Sequence, residues 1–336
     1  MGDLELRAAD DWHVHLRDDV RTPAAIAAVR SGGTARLLAM PNTSPPVLSG
    51  DDAERYGNWL KAKGLHAYLW TTIKLTQATT PQSILEASSK GVIAAKLYPL
   101  GVTTNSEDGL SDPLLLAPVF EAMQSVDMVL SLHGEVPGVF VMDAEAEFLG
   151  ILQRILDAFP KLRVVLEHVT TKAAVDFVCR FNNDRLAATI TDHHLAITLD
   201  DVVGSRVRPH HFCMPVAKRP SDLRALREAV RSVNPRFFSG TDSAPHMIRD
   251  KLSDCGCAGV FNAPYHMQFL ATLFENHEMI DCLEPFTSQF GREFYQVPPG
   301  RERIRLLRRP FVVPDRFDGI VPFMAGTTLN YQVEWV

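Results

Sequence analysis

Asp11-Trp12-His13-Val14-His15 is a short β-prone run ending in two histidines, at the place where a nucleotide-binding α/β sheet carries a glycine-rich turn. Seven more runs of this kind follow, centred on Ala35–Met40, Ala67–Lys74, Val92–Tyr98, Met128–His133, Arg163–His168, Leu186–Thr191 and Arg236–Asp242. Helical patterns lie between them, among them Thr22–Arg30, Asp51–Lys63, Pro113–Val126, Asp143–Phe159, Lys172–Phe181 and Ser221–Val233. Several carry start signals: Thr22 before Pro23, Ser49 to Asp52, Asp112 before Pro113, and Ser221 with Asp222. Strand–helix alternation predicts parallel βαβ units. Eight units in roughly 240 residues fit a (β/α)8 TIM-type barrel, which typically needs ~250. A doubly wound sheet is the competing architecture, and the histidine pair in place of a phosphate loop turns the choice to the barrel. The expected organisation is one α/β domain over residues 1–336, with a core barrel over about 10–250 and a helical extension over about 251–336.

Composition narrows the function. Of 336 residues, 46% are hydrophobic and 22% charged, which excludes disorder, collagen-like repeats and coiled coil as global descriptions. A net charge of −6 gives no broad reason to seek nucleic acid or anionic membrane. The five arginines of Arg301–Arg309 read as a solvated strand or helix face. Five cysteines imply reduced thiols and no disulfide framework, with Cys255 and Cys257 as small buried or loop thiols. Met1–Asp11 is charged and lacks the apolar stretch of a secretory signal, and no apolar run approaches the ~18 residues of a membrane span. A cytoplasmic protein acting on a small molecule is expected, with neither nucleic acid nor membrane as partner.

The strand ends carry the chemistry. His13 and His15 are two apart, so in a strand both rings point to one face, a spacing that suits two imidazoles sharing a metal. His133, His168 and Asp242 each end a later run, at separations that place the four ligand-bearing strands first, fifth, sixth and eighth. Barrel enzymes build their sites at this C-terminal rim. Lys96 lies in the apolar run Val92–Tyr98, where a lysine ordinarily snorkels or pairs with a carboxylate. Burial depresses its pKa, and a neutral amine can take up carbon dioxide as a carbamate whose two oxygens could bridge two metals ~3.5–4 Å apart. His13, His15, Asp242 and the bridge would then hold one ion, with His133, His168 and the bridge on the other and a hydroxide shared between them. Nitrogen-rich, thiol-free ligation favours Zn2+, with Co2+, Mn2+ or Fe2+ able to substitute.

Seven segments resemble class II dihydroorotase, the bacterial-type monofunctional branch of the amidohydrolase superfamily. They are His13-Val14-His15-Leu16-Arg17-Asp18-Asp19, Met40-Pro41-Asn42-Thr43, Lys96-Leu97-Tyr98-Pro99 with Gly101–Ser106, Leu132-His133-Gly134-Glu135, Leu166–Thr171, Gly240-Thr241-Asp242-Ser243-Ala244-Pro245-His246 and Gly256–Pro264. They run in order over nearly the whole chain, and the lysine segment and the Gly240–His246 block are specific to this branch. The resemblance implies a homodimeric binuclear zinc barrel, with N6-carboxylated Lys96, that interconverts N-carbamoyl-L-aspartate and L-dihydroorotate in pyrimidine synthesis. It assigns metal roles to His13, His15, Lys96, His133, His168 and Asp242. It also implies that Arg17, Asn42 and His246 hold the substrate carboxylate, with main-chain help near Met214 and Ala258, and that Thr103 and Thr104 sit on a loop closing over the substrate. In the expected mechanism the bridging hydroxide attacks the ring amide, and Asp242 serves as general base and then acid. Asp192 and Met214 depart from the residues usual in that branch. The rival readings are another cyclic amidase, such as a hydantoinase or dihydropyrimidinase without the carboxylate clamp, and a catalytically inactive relative.

Overall fold

In the computed structural model, which describes residues 2–101, 109, 112–181, 183–254 and 256–336, the chain opens with a short strand, β1 (Leu4–Arg7). The first histidine-ended run forms β2 (Ala9–Val14). There follow α1 (Thr22–Ser31), β3 (Thr34–Ala39), α2 (Gly50–Ala62), β4 (Tyr68–Lys74), α3 (Pro81–Ser89) and β5 (Ala94–Leu97). Next come α4 (Ala117–Ser125), β6 (Val129–Leu132), α5 (Ala144–Ala158), β7 (Val164–Leu166), α6 (Lys172–Phe181) and β8 (Leu186–Ile190). The series closes with α7 (Asp200–Val203), α8 (Pro220–Arg231) and β9 (Phe237–Ser239). Strands β2 to β9 pair in chain order, all parallel, in one eight-stranded sheet. The seam between β9 and β2 is bridged by Asp242 N–H to the His13 carbonyl (2.8 Å) and His15 N–H to the Ser243 carbonyl (3.0 Å). The sheet is therefore the expected (β/α)8 barrel; six of the eight runs contain their strands whole, while β2 and β3 begin two residues and one residue before theirs.

The strands are apolar on both faces because both are covered, as parallel sheets require. One face of each packs outward: Leu37, Ile73, Ala95, Leu130, Val164, Ala188 and Phe237 meet the surrounding helices. The helices answer with apolar stripes; α5 buries Phe148, Leu149, Leu152, Ile155 and Leu156 at helical spacing. α2 starts on a capping box between Ser49 and Asp52. α1 begins at Thr22 as expected, though Thr22 lies inside the helix and the preceding Arg21 gives no side-chain cap, and α8 begins one residue early, at Pro220. Proline is favoured in the first turn, where its missing N–H costs nothing.

Beyond the barrel lie α9 (Ile248–Lys251), α10 (His266–Asn276) and α11 (Phe290–Phe294), then β10 (Arg303–Leu307), β11 (Phe311–Val312), β12 (Thr328–Leu329) and β13 (Gln332–Trp335). The extension is thus helical, as expected, but also stranded: β10 pairs antiparallel with both β1 and β13. Along β10, Ile304 and Leu306 are buried while Arg303 and Arg305 face outward to Glu5 and Glu334. The arginine run is a solvated strand face.

Candidate active site

The barrel interior changes character in steps of two residues, the strand period. Its lower layer is hydrocarbon: Trp12, Leu38, Trp70, Ala94, Val129, Val165, Ala187 and Phe238 pack together with Phe290 and Tyr295 below. Two residues further along, the same strands present Lys96, Ser131, Glu167 and Thr189, all buried. Beyond these, at the C-terminal rim, stand His133, His168 and Asp242. β2 reaches the rim through a bulge, in which Trp12 and His13 together oppose the single Leu38 of β3. The extra residue lets Trp12 and His13 both turn inward.

The six residues singled out for metal binding converge. His13 Nε2 and His15 Nε2 lie 3.3 and 3.0 Å from the same Asp242 Oδ1. Ring centroids of His13 and His168 are 5.2 Å apart, and those of His133 and His168 are 4.7 Å apart. Ligand atoms of His13, His168 and Asp242 fall within 4.8 Å of one another. Lys96 Nζ and His168 Nδ1 are buried without a hydrogen-bond partner among the described residues. The backbone leaves the strand ladder here, with His168 and Asp242 both in the left-handed region at φ 41° and 47°. Side chains other than glycine seldom take it up, and they do so mostly where the surroundings enforce it.

Burial pushes His15 down to about 4 and drives His168 well below its ordinary value, so these imidazoles are neutral, and it lowers Lys96 to about 8, so that its amine gives up a proton more readily than a free lysine does. For Asp242 burial works toward protonation, but the attraction of His13 and the hydrogen bond from His15 prevail and hold the carboxyl well below its usual range.

Two carboxylates that the sequence reading passed over set the imidazoles. Glu167 accepts from His13 Nδ1 (2.9 Å), from Thr189 Oγ1 (2.6 Å) and from Ser131 Oγ. Glu135 accepts from His133 Nε2 at 2.8 Å. A carboxylate takes the one N–H of a neutral imidazole, so His13 turns its Nε2 lone pair to Asp242 and His133 leaves Nδ1 free. At 3.3 Å from the Asp242 carboxylate, that lone pair is satisfied by a cation, either a proton or a metal ion. The donor set fits a metal. The signal for Glu167 was present in the sequence as a charged residue in an apolar run, two places beyond interior Val165.

A narrow cleft opens beside the cluster, lined by His15, Arg17, Asn42, Met214, Asp242 and Ala258 among others. His246 stands behind it, with Arg17 Nη2 3.1 Å from its Nε2. Arg17 itself is buried, at φ 60°, and its Nε has no hydrogen-bond partner among the described residues. The loop bearing Ala258 is tied down by Lys251, another residue that the sequence reading missed. Its Nζ donates to the carbonyls of Phe212, Cys257 and Gly259 at 2.9, 2.7 and 2.8 Å. Gly259 is required, because a Cβ there would stand 2.6 Å from the Ala244 carbonyl and 2.8 Å from His246 Cδ2. Thr103, Thr104 and Cys255 lie outside the described residues.

A second buried group, His193, His194 and Cys213, has metal-like proximity but the wrong chemistry. Both His194 ring nitrogens are spent, Nδ1 with Thr191 Oγ1 (2.9 Å) and Nε2 on the Pro215 carbonyl (3.0 Å). Asp192, which departs from the resembling branch, is matched by His266: Nδ1 reaches both carboxylate oxygens at 2.9 and 3.0 Å, with both residues buried.

A (β/α)8 barrel whose rim gathers four histidines, a lysine and an aspartate around one buried point has the architecture of an amidohydrolase. No family model matches the chain. It is 40% identical over 345 residues to a dihydroorotase of Coxiella burnetii, covering 99% of each chain. A dihydroorotase of a Picosynechococcus species is 42% identical over 344 residues, again covering 99% of each. The crystal structure of Saccharomyces cerevisiae dihydroorotase in complex with 5-fluoroorotic acid superposes with a TM-score of 0.95 at 34% identity, covering 100% of this chain and 99% of that one. The chain belongs to the dihydroorotase family.

Proposed function

We propose that the protein interconverts N-carbamoyl-L-aspartate and L-dihydroorotate as a binuclear zinc enzyme. The observation that carries this reading is the convergence of two imidazole nitrogens on one Asp242 oxygen, beside a buried, unpartnered Lys96 amine. His13, His15 and Asp242 would hold one ion and His133 and His168 the other, with carboxylated Lys96 shared. Carboxylation forms a bond from Nζ to carbon dioxide and releases a proton to solvent, a step helped by a lysine whose pKa is lowered to about 8. When bound, the ions polarise the ring carbonyl and make hydroxide available near neutral pH.

The chain's own groups do the rest. Asp242 lines the cavity and takes the proton of the attacking oxygen, then passes it to the departing ring nitrogen. Arg17, Asn42 and His246 grip the substrate carboxylate, and the main chain near Met214 and Ala258 completes the seat. Thr103 and Thr104 are assigned to a covering loop on the strength of the resemblance alone. Barrel and extension are read as one domain, supported by Trp12 stacking on Tyr295 at 4.3 Å and by the pairing of β1 with β10. The reading also takes the protein to be a cytoplasmic homodimer. No described helix is long and apolar enough to cross a membrane.

Metal content and turnover test the proposal together. Purified protein should carry two zinc ions per chain and open dihydroorotate, followed by its ultraviolet absorbance, while leaving uncharged hydantoins and dihydrouracil nearly untouched. Undiminished turnover after exhaustive chelation would overturn the metal reading, and preference for hydantoin would overturn the carboxylate clamp.

A further inference from the structure

Arg21 lies off the cavity and has no part in the roles above. Asp19 holds its guanidinium, accepting from Nε at 2.9 and 3.0 Å and from the Arg21 main-chain N–H at 2.9 Å. Nη1 then extends to the Pro245 carbonyl and to His246 Nδ1, each at 3.3 Å. On the other side of the same ring, Arg17 Nη2 stands 3.1 Å from Nε2. His246 is therefore flanked by a guanidinium at each ring nitrogen.

A guanidinium only donates, whereas a neutral imidazole has one N–H and one lone pair. Burial, followed by the charges of Arg17, Arg21 and Lys251, outweighs a hydrogen bond with the Ala258 main chain and holds His246 far below its ordinary pKa, so the ring keeps a single proton. One of the two contacts is then a hydrogen bond and the other sets donor against donor. Asp19 anchors Arg21 from behind and aims it at Nδ1. Gly259 leaves the space the ring occupies, since a Cβ there would stand 2.8 Å from His246 Cδ2.

We propose that Arg21 is a positioning residue that fixes the tautomer of His246. By donating to Nδ1 it obliges Nε2 to carry the proton, beside the Arg17 guanidinium. Two donors 3.1 Å apart, with Arg17 Nε also unpartnered, make a seat that a carboxylate satisfies by accepting from both. The inference rests on the assignment of Arg17 and His246 to the substrate carboxylate, and it adds the residue that orients the imidazole.

The test uses zinc-loaded enzyme and two readouts. Arg21→Met should raise KM for dihydroorotate about tenfold while kcat stays within about twofold, and Arg21→Lys should recover part of the loss. Long-range 15N–1H spectra, with the His246 signal assigned by its loss in His246→Gln, should show Nε2–H in the wild type and a shift toward Nδ1–H in Arg21→Met. A wild-type signal from Nδ1–H, or an unchanged KM in Arg21→Met, would overturn the proposal. Arg17→Met separates the two layers of inference. If that variant keeps its KM, the carboxylate seat itself is wrong, whereas the tautomer spectra still judge Arg21.

Discussion

Trp12 and His13 are adjacent on one strand and both turn into the barrel, yet they belong to opposite regimes. Trp12 stacks on Tyr295 and Trp70 at centroid separations of 4.3 and 5.3 Å, and it shares a cluster with apolar side chains from the other seven strands. The closest approach is made possible by Gly291, where a Cβ would stand 2.0 Å from Trp12 Nε1. His13, one residue later, sits among buried groups whose polar demands are met from below by Glu167 and left open above. The lower layer holds the barrel together by filling space. The upper layer accepts unsatisfied atoms and left-handed backbone at Arg17, His168 and Asp242, a cost the packed layer beneath can support.

The contrast is testable by breaking each layer separately. Lys96→Ala should have the largest effect, abolishing turnover with loss of at least one metal per chain by elemental analysis, and a short carboxylic acid should restore part of both. Unchanged metal content would remove Lys96 from the bridge. Asp242→Asn should fold normally by circular dichroism and lose about 10²–10⁴-fold in kcat; full activity would refute the proton-transfer role. Trp12→Ala should do the reverse, lowering unfolding free energy by about 3–5 kcal/mol while the folded fraction keeps its zinc. Glu167→Gln should give the smallest change, weakening metal affinity about 10–100-fold in a chelator competition, because the amide no longer offers His13 Nδ1 a charged acceptor. If Glu167→Gln costs stability and no metal affinity, Glu167 belongs with the packing layer instead.

The eight strands were readable because a parallel sheet covered on both faces leaves near-continuous apolar runs, and the lysine and histidines stand out against them. The rim ligands were readable for the same reason. What misled was the assumption that each strand runs up to its ligand: β7 ends at Leu166 and β9 at Ser239, short of His168 and Asp242. There the backbone turns left-handed, and nothing in local propensity announces it. Glu167 and Ser131 were legible as polar residues at interior positions, but their partnership with Thr189 and His13 joins different strands. The pairing of β1 with β10 joins residues about 300 apart, beyond the reach of any local pattern.

Sequence alone determined the order of strands and helices, the candidates for metal binding, and the family they resemble, because these depend on side-chain chemistry and on periods of two and 3.6 residues. Only the closed barrel decided that Glu167 meets His13, that Glu135 meets His133, and that Arg21 and Arg17 share one imidazole. Those outcomes depend on distances between residues far apart in the chain, and folding alone brings them within hydrogen-bond reach.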